Sequence, residues 1–330
     1  MSRLLALFPL VIGSLLGLAA QRAPASAATA AWPGSQQVPL GITLSGTQWG
    51  RPLADLDAQI RAIRDYWYSN VVRLQVQQDR FDTDSGYRDY VRAAIGDGLR
   101  AGLTVVINPQ TEPVPGWTAN ERLPTQQTLD FWQLITADYS NNPDVVFDLF
   151  NEPRVPDTPA GWALWRDGGT YRGVAYLGMQ TVLSFIRDQG AANEVWADGL
   201  AGASTLDGVP GHLLSGGTVI YSFHHPAGPH DPAAWYRDFG YLAGLHIPVV
   251  NGEFTNYEQG YCWQDAPTAL PQYLGYLAAR GIGLTAWTFG GALNGGGGLA
   301  SVSVLDGAWS CPGTGLEGPG QLLRDWFAAH

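Results

Sequence analysis

Short apolar runs alternate with longer amphipathic stretches along this chain, and that alternation constrains the fold more than any other feature. The runs have the length and composition of β-strands, and the stretches between them carry apolar residues at helical spacing. The predicted strands are 41–45, 70–76, 103–108, 145–150, 194–198, 218–223, 248–251 and 283–289. The predicted helices are 55–67, 87–99, 125–139, 170–189, 231–245, 267–279 and 316–329. Strands separated by helices pair in parallel, because a parallel pair needs a long crossover connection.

Eight such strands predict an α/β protein built as a single (β/α)8 TIM barrel. The alternative is an open doubly wound sheet. No Gly-x-Gly-x-x-Gly motif follows a predicted strand, which argues against the dinucleotide-binding form of that sheet. No linker divides the chain beyond its N-terminal segment, so we expect one domain over residues 28–330.

The first 27 residues have the pattern of a secretory signal peptide. Arg3 precedes an apolar run over 4–20, and Ala25-Ser26-Ala27 follows as a small-residue cleavage site. The run is short for a membrane span of about 20 residues, so an uncleaved anchor is the less favoured alternative. We therefore expect a secreted protein that does not associate with a membrane after cleavage.

The charge of the chain limits its partners and cofactors. The 330 residues carry a formal net charge of −11, and all 18 basic residues are arginine. An acidic chain without a basic stripe is a poor ligand for nucleic acid. The lack of lysine excludes a cofactor held as a lysine Schiff base. We expect a monomer that needs no cofactor and binds no nucleic acid.

The chain has two cysteines, Cys262 and Cys311. In an oxidising compartment two cysteines predict one disulfide, with two free thiols as the alternative. Their spacing does not match a zinc site.

Catalytic groups of a (β/α)8 enzyme lie at the carboxyl ends of its strands, so polar and aromatic residues there are the candidates. They are Gln48, Trp49, Arg73, Gln75, Asn108, Gln110, Asn151, Glu152, Asp198, His224, His225, Glu253 and Trp287. Two carboxylates among them, Glu152 and Glu253, follow predicted strands 4 and 7, which face each other across a barrel. Two carboxylates that face each other across a cleft suit glycoside hydrolysis, with a separation of about 5–5.5 Å in retaining enzymes and about 6.5–9.5 Å in inverting ones. The alternatives are a helix N-terminal acid for Glu152, with Pro153 at the first helical position, and a loop acid for Glu253.

The sequences around these two acids carry a family resemblance. The segment VVFDLFNEP (145–153) resembles the strand-4 signature of glycoside hydrolase family 5, the cellulase family of retaining β-glycosidases, and VVNGEF (249–254) resembles its strand-7 motif. The resemblance implies a (β/α)8 fold, with Glu152 as the general acid/base and Glu253 as the nucleophile.

The same resemblance implies roles for four more residues. Asn151 would bind the sugar 2-hydroxyl, and Arg73 would hydrogen-bond the nucleophile carboxylate. His224, in YSFH (221–224), would lie in the site, and Trp287, in TAWTF (285–289), would form the floor under the sugar. Two positions depart from the family pattern: Gln110 stands where a histidine is usual, and Pro226 where a tyrosine is usual.

Other patterns have simpler interpretations. The histidines of HHPAGPH (224–230) match no standard zinc spacing and favour a shaped loop over a metal site. No Gly-x-Ser-x-Gly motif supports a serine hydrolase. Three tryptophans, Trp67, Trp132 and Trp326, are in phase with helical faces and predict core. Seven others either contact sugar or fill core: Trp49, Trp117, Trp162, Trp165, Trp235, Trp263 and Trp309.

The sequence therefore predicts a secreted retaining β-glycoside hydrolase that degrades a polysaccharide, acting internally on a β-1,4-glucan. The alternatives are a hydrolase of the same fold acting on mannan, xyloglucan, β-1,3-glucan or a small β-glycoside, a transglycosylase, and a non-catalytic carbohydrate-binding barrel.

Overall fold

The computed structural model of the chain describes residues 32, 37–44, 46–47, 53–110, 122–225, 231–254, 257–258, 261–262, 266–289 and 319–330. Several predictions fall on residues outside these ranges: the signal peptide, Cys311, Pro226, and the tryptophans at 49, 117, 263 and 309. Only the backbone of Cys262 is described, so the predicted disulfide also lies outside the description.

Eight parallel strands close into a barrel. They are β1 (Leu40–Leu44), β2 (Val71–Gln77), β3 (Thr104–Gln110), β4 (Val145–Asp148), β5 (Val195–Asp198), β6 (Val219–Phe223), β7 (Val249–Phe254) and β8 (Gly283–Phe289). Each strand pairs with its neighbours in sequence order, and β8 pairs with β1. The prediction of a (β/α)8 barrel is confirmed, and the open sheet is wrong because a sheet that closes on itself has no edge strands.

Helices connect the strands on the outside of the barrel. Their bounds are Leu53–Asp65, Gln78–Thr83, Ser85–Arg100, Gln126–Tyr139, Pro159–Asp167, Met179–Asp188, Leu200–Ala203, Pro232–Trp235, Tyr241–Gly244, Ala266–Ala278 and Pro319–Ala329. Asp231 caps the helix predicted at 231–245, because Asp231 Oδ1 accepts the N–H groups of Ala233 and Ala234. A π-helical turn at Tyr236–Gly240 interrupts that helix.

The predicted helix 170–189 is wrong in its first half. A β-hairpin made of Gly168–Tyr171 and Val174–Leu177 comes first, and the helix begins only at Met179. The hairpin forms because Arg172 and Gly173 both have positive φ, at 51° and 80°, which makes the tight two-residue turn that suits twisted strands.

Side-chain alternation along the strands builds two cores. In β2, Val72, Leu74 and Val76 face outward into the large cluster shared with the helices, so Arg73 and Gln75 face the barrel interior. An apolar layer fills the amino-terminal end of the interior, and it consists of Val71, Val106, Val146, Trp196, Ile220 and Val250. Polar side chains occupy the inward positions above that layer, toward the carboxyl ends of the strands. The sequence thus places its polar groups in the half of the barrel where function is expected.

Tryptophans contribute mainly to packing. Trp67 and Trp132 are buried and Trp326 packs at the edge of the core, as predicted. Trp162, Trp165 and Trp235 are also buried, at 2%, 0% and 1% exposure, so the sugar-contact alternative is wrong for these three. They lie on the inner faces of helices, where large apolar surfaces are most effectively removed from water.

Candidate active site

The candidate site lies at the carboxyl-terminal mouth of the barrel, where inward side chains of β2, β4, β5, β6 and β7 meet. Four of the predicted residues, Arg73, Asn151, Glu152 and Glu253, are joined with His224 by direct contacts. Side chains from strands far apart in sequence thus form one connected polar cluster at the mouth.

Glu253 reaches the interior because β7 contains a β-bulge. The register against β8 pairs Asn251 with Leu284 and Phe254 with Ala286, so two residues of β7 stand opposite one of β8. The extra residue reverses the inward–outward alternation. Glu253 therefore lies inside strand β7 and faces the interior, which corrects the expectation that it follows the strand or lies in a loop.

Two donors on β2 hold the Glu253 carboxylate. Arg73 Nη1 donates to Glu253 Oε1 at 2.5 Å, and Gln75 Nε2 donates to the same oxygen at 2.9 Å. The Arg73 side chain is fully buried, and its Nε also donates to Asp148 Oδ2 at 3.0 Å. Charge-assisted hydrogen bonds of this kind are short and strong, so they fix the position of the Glu253 carboxylate.

Glu152 is fixed by an unusual backbone conformation. Its φ is +46°, a left-handed value that costs a non-glycine residue about 1–3 kcal/mol. The Glu152 N–H donates to Asp198 Oδ2 at 3.0 Å, which anchors the strained residue to β5. No helix begins at Pro153, so the interpretation of Glu152 as a helix N-terminal acid is wrong.

The two Glu152 oxygens have different partners. Oε2 accepts from Arg154 Nη2 at 3.0 Å, while Oε1 lies 3.2 Å from His224 Nδ1. His224 Nδ1 also lies 3.7 Å from Glu253 Oε2, so this imidazole stands between the two acids. One oxygen of each acid and a nitrogen of His224 all lie within 4.8 Å of one another.

Buried charges beneath the acids set their protonation. Burial opposes a charge on His224, but Asp198, whose Oδ2 is 3.3 Å from Nε2, and Glu253 outweigh burial and raise the His224 pKa well above its usual value. Burial likewise opposes ionisation of Glu152, yet the hydrogen bond and charge of His224, with those of Arg154, lower the Glu152 pKa. In the free site the proton shared by Glu152 and His224 is therefore held mainly on the imidazole.

Asp148 and Asp198 form a second pair of buried acids, next to the positive charges of Arg73 and His224. Burial and the neighbouring Asp198 raise the pKa of Asp148 to about 7, although Arg73 and His224 act in the opposite direction. The pKa of Asp198 is lowered, because His224 and Arg73 outweigh the effect of burial. The two aspartates thus differ in pKa because only Asp198 contacts the imidazole and the Glu152 backbone directly.

Asn151 and Trp287 also face the mouth, whereas His225 Nε2 lies 3.8 Å from Asp238, and Gln48 and Trp49 lie outside the described residues. Asn151 is buried, and its Oδ1 accepts from Arg73 Nη2 at 3.0 Å, which leaves its NH2 group as the donor for a ligand. Trp287 occupies an inward position near the end of β8 and is partly exposed. Its indole Nε1 has no hydrogen-bond partner within the described part of the chain.

Sequence reasoning named Asp198 as a candidate without a role and missed Asp148 and Arg154. Asp148 ends an apolar strand, and an acid at an inward strand position is the signal that could have marked it. Arg154 carried no signal, because its contact with Glu152 depends on the turn at Pro153. The cluster of Glu152, His224 and Glu253 offers donor atoms to a cation, but Arg73 and Arg154 already supply positive charge to both carboxylates.

Known structures share this architecture. A GH5 cellulase from an Icelandic hot spring isolate matches with a TM-score of 0.67 and 18% identity, over 89% of this chain and 88% of that one. The catalytic domain of a Thermobifida fusca endoglucanase matches with a TM-score of 0.65 and 19% identity, over 88% and 92%. A β-glucanase from Saccharophagus degradans, solved with cellotetraose, matches with a TM-score of 0.67 and 16% identity, over 88% of each chain. At such identities the likeness establishes the fold.

A family model identifies the group to which the barrel belongs. The model of cellulase (glycosyl hydrolase family 5) matches residues 28–293, which is most of the chain and includes all eight strands. The chain therefore belongs to the cellulase family, glycosyl hydrolase family 5, and is a glycosyl hydrolase of (β/α)8 fold.

Proposed function

We propose that this glycosyl hydrolase cleaves a β-1,4-glucan internally, with retention of configuration, through Glu152 as acid/base and Glu253 as nucleophile. The observation that carries the proposal is the separation of the two acids, whose nearest oxygens lie within 4.8 Å. Retaining enzymes place their carboxyl groups about 5–5.5 Å apart, whereas inverting enzymes need about 6.5–9.5 Å to admit a water.

The surroundings of the acids support different roles for them. Arg73 and Gln75 stabilise negative charge on Glu253, which suits attack on the anomeric carbon. Glu152 shares a proton with His224, so a sugar oxygen that approaches Oε1 can be protonated as the glycosidic bond breaks. In the glycosyl-enzyme Glu253 is esterified and has lost its charge. Glu152, which has given its proton to the leaving oxygen, then accepts a proton from the incoming water.

Asn151, Arg73, His224 and Trp287 complete the proposed site. Asn151 offers an amide donor to the sugar 2-hydroxyl, and Trp287 offers an aromatic face to the ring. The assignment to a β-1,4-glucan rests on the family and on the endoglucanase among the similar structures. Mannan, xyloglucan, β-1,3-glucan and small β-glycosides remain the other substrates to compare, together with transfer to an acceptor sugar.

The Glu253→Gln variant tests the mechanism. We expect kcat on the best substrate of a β-glycan panel to fall by about 10³-fold or more, because the amide cannot form the glycosyl-enzyme. Gln75→Asn, which shortens a hydrogen-bond donor to Glu253 but keeps the nucleophile, should lower kcat by much less. Near wild-type hydrolysis by Glu253→Gln, or an inverted first product by NMR, would overturn the assignment.

We also propose that the protein is exported and monomeric. The signal pattern over residues 1–27 and the cysteine pair support export into an oxidising compartment. Among the described residues, no helix is both long and apolar enough to cross a membrane. N-terminal sequencing of the secreted product and light scattering in solution check these two points.

A further inference from the structure

Three arginines and Glu152 line one cavity next to the acid pair. The cavity has a volume of about 510 Å³, opens to solvent, and is lined by Arg122, Arg154 and Arg172 together with Glu152 and Tyr171. Neither Glu253 nor Arg73 lines it. We refer to it as the arginine cavity.

The position of the arginine cavity identifies which part of a substrate it meets. In a double displacement the anomeric carbon lies between the two carboxyl groups, and the leaving oxygen lies against the acid/base. A cavity that is lined by Glu152 and its partner Arg154, and not by Glu253, therefore faces the leaving group. This step rests on the proposed function.

The charge of the cavity is strongly positive for a protein of this composition. The chain has a net charge of −11, yet three of its 18 arginines converge here. Within the described residues, Glu152 is the single acid that lines the cavity, and it must be protonated when it acts as an acid. Three guanidinium groups therefore outnumber the one acid among the described lining residues.

The three arginines are held in place by the backbone. The Arg154 N–H donates to the Arg122 carbonyl at 2.8 Å, and Arg122 Nη1 donates to the Arg154 carbonyl at 3.1 Å. The Leu177 N–H donates to the Pro124 carbonyl at 2.7 Å, which fastens the hairpin that carries Arg172 to the Arg122 segment. Such a preorganised set of donors lowers the entropic cost of ligand binding.

Arg172 occupies a position that its own residue type disfavours. It is the first residue of the hairpin turn with φ of +51°, where asparagine, aspartate or glycine is usual. A strained residue at a cavity wall points to a use for its side chain.

We propose that the arginine cavity binds an anionic substituent on the leaving-group side of the substrate, a carboxylate or a sulfate ester on the sugar chain. Arginine forms paired, charge-assisted hydrogen bonds with both groups. The enzyme would then prefer acidic β-glycans over neutral ones of the same backbone.

Binding to the Glu253→Gln protein tests this without turnover. The probes are cellotetraose and cellotetraonate, which carries a carboxylate at its reducing end, measured by calorimetry. We expect cellotetraonate to bind about tenfold more tightly, with a difference that shrinks as salt is added. Adding Arg122→Gln and Arg172→Gln should abolish the difference and leave the Kd of cellotetraose within about twofold.

Controls and polymer substrates separate the outcomes. Arg64→Gln, on the exposed face of helix Leu53–Asp65, should leave both Kd values unchanged, and the Arg172→Gln single variant should lose part of the preference if the double variant is unstable. Carboxymethylcellulose and cellulose sulfate, each compared with hydroxyethylcellulose on the wild-type enzyme, distinguish carboxylate from sulfate. Equal Kd values of cellotetraose and cellotetraonate on the Glu253→Gln protein would overturn the inference, provided that the wild-type enzyme hydrolyses glucan. Equal weakening of both tetrasaccharides by the arginine substitutions would overturn it as well. Absence of both binding and hydrolysis would overturn the proposed function and this inference with it.

Discussion

His224 links the chemistry of the two acids at the scale of single residues. Its ring stands between Glu152 and Glu253 and rests on Asp198, which is fully buried. Asp198 raises the His224 pKa, and it also accepts the Glu152 N–H. Asp198 is therefore a positioning residue that acts on both the proton and the backbone of the acid/base.

Replacement of Asp198 by asparagine separates these two effects. The amide oxygen of Asp198→Asn can still accept the Glu152 N–H, but the charge that raises the His224 pKa is lost. We expect the alkaline limb of the kcat/KM pH profile to move to lower pH, because the proton shared by Glu152 and His224 is then lost more readily. At neutral pH the activity should fall about tenfold.

The matched control is Asp238→Asn. Asp238 lies 3.8 Å from the neighbouring imidazole of His225, outside the contacts of the acid pair. Its replacement should leave the pH profile in place. An unchanged profile in Asp198→Asn, with activity reduced equally at every pH, would show that Asp198 has only a structural role.

At the scale of elements, the bulged end of β7 determines how Glu253 meets its partners. Gly252 precedes the acid, and a Cβ built there would lie 2.2 Å from Ser222 Oγ and 3.3 Å from His224 Nε2. Glycine is thus required because the backbone of β7 passes close to β6 in the closed barrel. The same bulge explains why Glu253 faces inward, although strict alternation along β7 would direct it outward.

We expect Gly252→Ala to reduce kcat by about 10²-fold, because the methyl group displaces Ser222 Oγ by about 1 Å and crowds His224. Circular dichroism should show the barrel still folded. Gly275→Ala, in helix Ala266–Ala278 with nothing within 4 Å of its Cβ, is the control and should retain full activity. Full activity in Gly252→Ala would argue that His224 is not held by this contact.

The whole molecule depends on closure of the barrel and on the helices that cover it. β1 pairs with both β2 and β8, so the first and last strands complete the ring. The C-terminal helix Pro319–Ala329 covers part of the outer core with Leu323 and Phe327, which are buried to 0% and 3% exposure. The helix Pro319–Ala329 therefore stabilises the barrel that positions the site residues.

Leu323→Ala tests that dependence. We expect a loss of about 2–5 kcal/mol in the free energy of unfolding, because a cavity replaces a fully buried side chain. Thermal or denaturant unfolding measures the change, and activity at low temperature should persist. Leu213→Ala, at a side chain that is 47% exposed, should have little effect. Equal stability of the two variants would mean that the C-terminal helix does not support the barrel.

Much of the site was predictable because its signals are local. Glu152 follows an apolar strand in Asn-Glu-Pro, and the period-two pattern of β2 places Arg73 and Gln75 on one face. The hairpin at 168–177 was missed because its apolar residues also fit a helical spacing, and a turn with positive φ at an arginine has no usual sequence signal. Arg154 was missed for a different reason, because its contact with Glu152 depends on the direction of the chain after Pro153.

The sequence by itself determined the eight strands, their parallel order and the two acids on strands 4 and 7, because apolar periodicity and strand order are local properties of a chain. Only the tertiary structure decided that Glu253 faces inward, since a bulge depends on the register between β7 and β8. It also decided that His224 lies between the acids and that three arginines from separate loops share one cavity. These relations join residues tens to hundreds of positions apart, and barrel closure alone brings them within contact distance.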